Sequence, residues 1–404
     1  MNFPTSVFCI FLIFQIFMAG SCSKDKDTFG PESVQPEAPI IESRKESGEP
    51  DEQETEEQEE EQEGHSEEEE VEEEGSAEEQ PQEETMPEGQ QEEEQQEAPE
   101  QEGQQEPPPS GPTKSVEEIT IFPQNHPLHD DVLGASVDDN SDAILEHIGL
   151  QTNIFADFGS GTYQGEPIGI PYVSVGSDQP KVPIVFRGNG TDGNYGHQSE
   201  KGPFPIPLDA PVEAAFVGDG HVISVDVDNG MLYELYNAQQ VGNGWEASSA
   251  AVFNLNTVEF RPEGWTSADA AGLPIFPLLI RYSEVASGEI DHPIRFTLSR
   301  NKIYEGYIHP ARHSIQGEVG NHLLPFGARL RLKDDFDISG FSQENQVILR
   351  ALKKYGLILA DVGVDMYLKG DPNENWNNAD LRELKTIKVE NFEVVEMGQI
   401  KTNQ

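Results

Sequence analysis

Apolar and polar residues alternate with period two along residues 222–227, where Ile223, Val225 and Val227 fall on one face and Ser224 and Asp226 on the other. Asp228-Asn229-Gly230 then supplies an Asn-Gly turn signal, so residues 222–227 and 231–236 are expected to pair as a hairpin. Residues 119–122, 168–175 and 182–186 read as further strands, since they concentrate β-branched and aromatic side chains between Gly, Pro and Asn. Helical periodicity is confined to shorter pieces. Residues 141–148 form one, with Asn140 or Ser141 as cap. Ser342 caps another that runs to Tyr355, with Val347, Leu349, Ala351, Leu352 and Tyr355 near its apolar face and Gly356 at the left-handed position beyond it. Residues 357–360 read as a buried strand, Asn377 or Asn378 caps a short helix through Leu384, and residues 392–395 make a last strand. The fold class expected for residues 115–404 is mainly β with a few helices, a sandwich or jelly-roll-like body. No repeat of fixed period is visible.

Upstream the pattern changes twice. Residues 7–18 are apolar except for Gln15, and Ala19-Gly20-Ser21 follows with small residues at the −3 and −1 positions for cleavage before Cys22. Residues 1–21 therefore read as a signal peptide, too short for a membrane span, and no other segment offers one. Ala-Gly-Ser-Cys also fits a bacterial lipobox that would acylate Cys22, although Ala19 stands where Leu is usual and no Lys or Arg precedes the apolar stretch. The only cysteines are Cys9 and Cys22, so a chain cleaved before Cys22 forms no intramolecular disulfide and depends on its apolar core.

Residues 22–106 are dominated by Glu and Gln, and from about residue 42 they carry almost no aliphatic or aromatic side chains, so they cannot bury enough apolar surface to offset the entropy of ordering. They are expected to be disordered, and residues 107–114, Pro-rich, to form a stiff linker to the folded part. Of the formal net charge of −51, residues 1–114 supply −30, from 35 acidic and 5 basic side chains. The remaining residues supply −21, from 41 acidic and 20 basic side chains dispersed among apolar ones. With no basic stripe to displace phosphate counterions, nucleic acid is excluded as a partner.

An acidic run of this kind binds cations. Glu52, Glu56, Glu57, Glu67, Glu68, Glu69, Glu70, Glu72, Glu73 and Glu74 are the candidate calcium- or mineral-binding side chains. Because a tight calcium site needs six to eight oxygens held together, carboxylates on a disordered chain predict many weak Ca2+ sites and no organic cofactor. A solubilising tether is the other reading of the same run. Asn189-Gly190-Thr191 is the single glycosylation sequon, with Asn189 the acceptor.

The folded part offers thinner signals, and no ordered metal site is assigned to it. Acidic clusters occur at Asp130-Asp131, at Asp138-Asp139 with Asp142, at Asp226 with Asp228, and at Asp334-Asp335 with Asp337. Asp226-Val227-Asp228-Asn229-Gly230 resembles the opening of a calcium loop but lacks the closing Glu, since Asn237 stands there, and reads as a turn. Glu289 and Asp291, two apart, would share one face of a strand, as paired carboxylates do in some glycosidases, with Trp265 as a stacking platform. His309 and His313 have a spacing that suits a metal only on a helix, which Pro310 opposes. His221 reads as a satisfied core histidine. No Ser-His-Asp order, phosphate loop or Cys-based zinc pattern is present, and the reading is non-catalytic.

Three stretches carry a resemblance: Gly264-Trp265-Thr266-Ser267-Ala268-Asp269-Ala270-Ala271-Gly272-Leu273-Pro274, Gly288-Glu289-Ile290-Asp291-His292, and Ile348-Leu349-Arg350-Ala351-Leu352-Lys353-Lys354-Tyr355-Gly356. Over residues 115–404 the chain resembles a domain of uncharacterised secreted bacterial proteins, found also in the acidic skeletal organic matrix proteins of stony corals. Leader, acidic block and domain together look most like the coral group. The resemblance implies a secreted, extracellular protein of the skeletal organic matrix, with calcium carbonate mineral and matrix polysaccharide or protein as partners. No catalytic residue is implied. Coral relatives are often rich in aspartate runs, whereas this block is almost all glutamate, whose longer spacer positions the carboxylate less rigidly. The alternative expectation is a secreted or lipid-anchored carbohydrate-active enzyme, or a glycan-binding protein, with the acidic run as spacer.

Overall fold

The computed structural model describes residues 111–187, 194–214 and 218–403. Among them are seventeen strands and four α-helices, α1 (Ser141–Ile148), α2 (Tyr282–Ser287), α3 (Gln343–Lys354) and α4 (Asn378–Glu383), so the fold is mainly β with a few helices. The largest sheet has six strands in the order Phe155–Asp157, Tyr367–Lys369, Ile294–Leu298, Leu357–Val362, Arg329–Leu332 and Phe392–Val394. The apolar run from Leu357 to Ala360 is fully buried near its middle, parallel to Ile294–Leu298 on one side and antiparallel to Arg329–Leu332 on the other. A continuous apolar run marks a strand covered on both faces.

The expected hairpin forms, with Val222–Asp226 antiparallel to Met231–Tyr236 and the turn at Asn229-Gly230. Gly230 supplies φ +65° there, a conformation that favours glycine. Ser249–Asn254 and Val173–Val175 complete a four-stranded sheet around it. Alternation holds, but neither face meets water. Ile223, Val225 and Val227 join the main core with Phe296, Leu330 and Leu359 of the large sheet and Ile348 and Leu352 of α3. On the opposite face Val222 and Leu235 pack with Trp245, Ala247, Phe204 and Ile206, partly from a three-stranded sheet of Ile184–Phe186, Gly244–Ala247 and Gln239–Val241. Ser224, on that second face, is buried and donates its hydroxyl to the Pro205 carbonyl at 2.8 Å.

The termini of α3 and α4 follow their local signals, whereas Asn140, at the N-cap of α1, makes no side-chain capping bond. Ser342 Oγ accepts from the Asn345 amide at 3.3 Å, α3 ends at Tyr355, and Gly356 turns the chain with φ +76°. A Cβ at Gly356 would stand 2.8 Å from the Leu330 carbonyl, so the close passage of the neighbouring strand also requires glycine. Asn377 caps α4 through the Ala379 amide.

Three expected strands are altered. Residues 119–122 form bends, because Phe122 takes φ +62°, buries its ring and stacks on His126 at 4.2 Å. Of residues 168–175 only Val173–Val175 is strand: Gly169, at φ +123°, passes so near Gly370 that a Cβ would lie 2.6 Å from its carbonyl. The strand expected at 182–186 begins at Ile184, after Pro183, which has no amide to donate.

Candidate functional site

Charged side chains are rarely fully buried unless paired, yet this fold gathers several. Arg295, on Ile294–Leu298, is 1% exposed and donates Nε to Asp269 Oδ2 at 2.9 Å, while Nη2 reaches Asp269 Oδ1 and lies 3.7 Å from Asp361 Oδ2. Asp269 is held from behind. Its backbone oxygen accepts from Thr266 Oγ1 at 3.0 Å and Ser267 Oγ at 2.9 Å, and its amide donates to Ser267 Oγ at 2.9 Å. Burial works against the Arg295 charge, but Asp269 overrides it and raises the guanidinium pKa. Burial, then the Asp269 charge, pushes the Asp361 carboxyl well above the usual carboxylate range, against the pull of Arg295.

The three resemblance-bearing stretches meet at this strand. The first forms the loop that presents Asp269, the second leads from α2 into the strand, and the third ends at Gly356, whose carbonyl accepts from the Ile294 amide at 3.0 Å.

Beside this pair lies a second group. His221, at the start of the hairpin, is 1% exposed; its Nδ1 contacts Glu213 Oε2 and its Nε2 lies 3.2 Å from the Ala268 carbonyl. Burial opposes ionisation of Glu213, but the facing imidazolium holds its carboxyl down to about 2. Burial likewise disfavours His221 protonation, and Glu213 outweighs it, lifting the imidazole to about 9. Asp219, exposed, completes a set of three side chains whose ligand atoms all lie within 4.8 Å of one another. It is the one such group of His and carboxylates among the described residues. Further along the hairpin, Glu234 is fully buried and accepts from the Ile275 and Phe276 amides at 2.9 and 2.8 Å, and burial pushes it up to about 7.

The expected His221 reading holds, as a buried histidine with partners at both ring nitrogens. Glu213 and Asp219 were not singled out from sequence. The available signal was the short spacing from Asp219 to His221, and it is Gly220 between them, at φ +67°, that turns the chain there.

The candidate carboxylate pair does not assemble. Residues 289–291 are not strand; Gly288, at φ +95°, ends α2 and starts a turn in which Glu289 is 72% and Asp291 53% exposed at the side chain. Trp265 sits elsewhere, its ring 5.7 Å from the Arg261 guanidinium. Asp291 lines a cleft of about 440 Å3 with Phe122, Arg281, Glu284 and His292, but Glu289 and Trp265 do not. In that cleft Glu284 bridges Arg281 and His292, the latter at 3.2 Å.

Members of the acidic clusters cap turns, the buried Asp226 among them. Asp226 accepts from the Asn229 amide at 3.0 Å, Asp228 from the Ser177 and Thr113 amides at 3.0 and 3.2 Å, Asp138 from the Asn140 amide at 2.9 Å, and Asp337 from the Ser339 amide at 2.9 Å. His309 stacks edge-on against Phe260 at 4.6 Å, and His313 Nδ1 lies 2.7 Å from the Ala270 carbonyl, off any helix. The ten arm glutamates from Glu52 to Glu74, the sequon at Asn189, and Cys9 and Cys22 all lie outside the described residues, as do the leader and the acidic segment. No helix among the described residues is long and apolar enough to cross a membrane. The chain matches no family model, no curated protein and no solved structure.

Proposed function

We propose that this is a secreted acidic matrix protein that gathers calcium and modulates growth of calcium carbonate mineral. The observation that carries the reading is the unequal charge. The first 114 residues supply −30 of the −51 total, behind an export-type leader. Solvated carboxylates at this density concentrate divalent cations through many weak contacts, each screened beyond roughly 8 Å at physiological salt. The Glu-rich arm, through residues such as Glu67, Glu68, Glu69 and Glu70, holds calcium and adsorbs to the mineral surface. The β-rich body anchors it in the extracellular matrix by contact with polysaccharide or protein. The separation of Glu289, Asp291 and Trp265 supports a binding body over a glycosidase built on those residues.

The test is calorimetric titration of calcium into the full chain and into a chain lacking residues 42–106. The expected result is a high-capacity, weak isotherm that largely disappears with the deletion, while the far-ultraviolet circular dichroism of the body persists. Calcium capacity unchanged by the deletion would sink the proposal.

A further inference from the structure

Glu213, Asp219 and His221 offer two carboxylates and one imidazole to a common point, and the surroundings prepare them for a cation. The Ala268 carbonyl accepts from His221 Nε2, which fixes the ring so that Nδ1 faces the carboxylates. Orientation of a histidine ligand by a hydrogen bond at its other nitrogen is the usual support of a metal-binding imidazole. The charge balance around the group is negative. Glu213, Asp219, Asp269 and Asp361 all act electrostatically on His221 or its immediate neighbours, against the single guanidinium of Arg295; the nearby Lys369 is engaged by Asp157 at 2.5 Å. A divalent ion at the point the three side chains share would offset part of that negative charge.

We propose that Glu213, Asp219 and His221 form a binding site for a first-row transition-metal dication of the zinc class, distinct from the calcium-gathering arm. The donor set selects the ion. Calcium takes six to eight oxygens, whereas imidazole nitrogen combined with carboxylate oxygen suits zinc and its neighbours. Ligand distances of about 2.0–2.2 Å hold donor atoms roughly 3–4 Å apart, so the group closes on an ion by small side-chain movements as Glu213 and His221 separate. Three protein ligands leave a fourth position for water. Asp219, exposed while its partners are buried, provides the entry from solvent. The ion replaces the Nδ1 proton, so binding releases a proton and tightens as pH rises.

The test titrates Zn2+ by calorimetry into the full chain with calcium in excess, so that the arm is already occupied. One zinc per chain is expected, at least tenfold tighter than the residual background, with a heat that changes with the ionisation enthalpy of the buffer. Asp219→Asn, at an exposed position, should leave the fold intact and weaken the site at least tenfold, and His221→Gln should abolish it. No saturable single site, or a site equally tight in Asp219→Asn, overturns the proposal; if His221→Gln fails to fold, Asp219→Asn decides. The calcium reading is tested separately by arm deletion, so failure here leaves it standing.

Discussion

Replacing Asp269 by Asn removes one charge from the most deeply buried ion pair among the described residues while keeping the side chain's shape. Asp269 is 0% and Arg295 1% exposed at the side chain, and the pair makes two hydrogen bonds. Breaking such a pair on one side leaves an uncompensated buried charge and costs about 3–5 kcal/mol. Here a reserve partner exists. Asp361 Oδ2 lies 3.7 Å from the same Nη2, and the charge that, after burial, most raises its pKa is that of Asp269 itself. Loss of Asp269 therefore lets Asp361 ionise and partly replace it. The single variant is expected to lose about 3 kcal/mol, the lower end of the range, and Asp269→Asn with Asp361→Asn about 5 kcal/mol. With a urea m-value of roughly 3 kcal/mol/M for a chain this size, the two midpoints fall by about 1 M and somewhat under 2 M. Equilibrium urea unfolding followed by tryptophan fluorescence reads both. A single-variant shift below about 0.3 M, or equal shifts for the two, would refute the reasoning.

Two further outcomes follow from the same geometry. In the presence of chelator, the His221 imidazole, raised to about 9 from its ordinary value, contributes stability that is full below about 6.5 and declines as pH rises through 9. Glu213, lowered to about 2, contributes above about 4.5 and loses its share as pH falls toward 2. Thermal unfolding across pH should show both limbs, and His221→Gln should flatten the alkaline one; an unchanged alkaline limb would remove His221 as its cause. Glu289→Gln, at a 72% exposed side chain whose Lys354 contact is 3.9 Å long, should change unfolding free energy by less than about 0.5 kcal/mol. A marked loss in urea unfolding, or of turnover on a glycan substrate, would contradict the placement of that residue outside any site.

The parts of the fold legible in the sequence are those set by local chemistry. Asn229-Gly230 specifies its hairpin because the turn needs positive φ, and the Ser342 cap and Gly356 bracket α3 for the same kind of reason. Residues 119–122 misled because strand propensity cannot report that the Phe122 ring is drawn into a stack with His126. Residues 168–175 misled because the approach of Gly370 to Gly169 is a long-range event. The candidate site was legible only in fragments. His221 was legible as a core histidine from its place on the Ile223 face, but its partner Glu213 lies eight residues upstream, and Asp269 reaches Arg295 across 26 residues. Glu289 and Asp291 looked paired on the assumption of a strand, and the left-handed Gly288 turns the chain before one can start.

The hairpin at the centre of the four-stranded sheet has both faces covered, and every residue from Val222 to Asp226 is buried. A strand with one solvated face leaves alternate positions free to drift between polar side chains, because water tolerates nearly any of them. This one does not. A lineage of such proteins should hold these five residues nearly constant in size, with Ser224 replaced only by residues that keep its hydrogen bond, while the exposed strand Gln239–Val241 varies freely. Sequence divergence across relatives would then trace the buried sheet as a conserved seam.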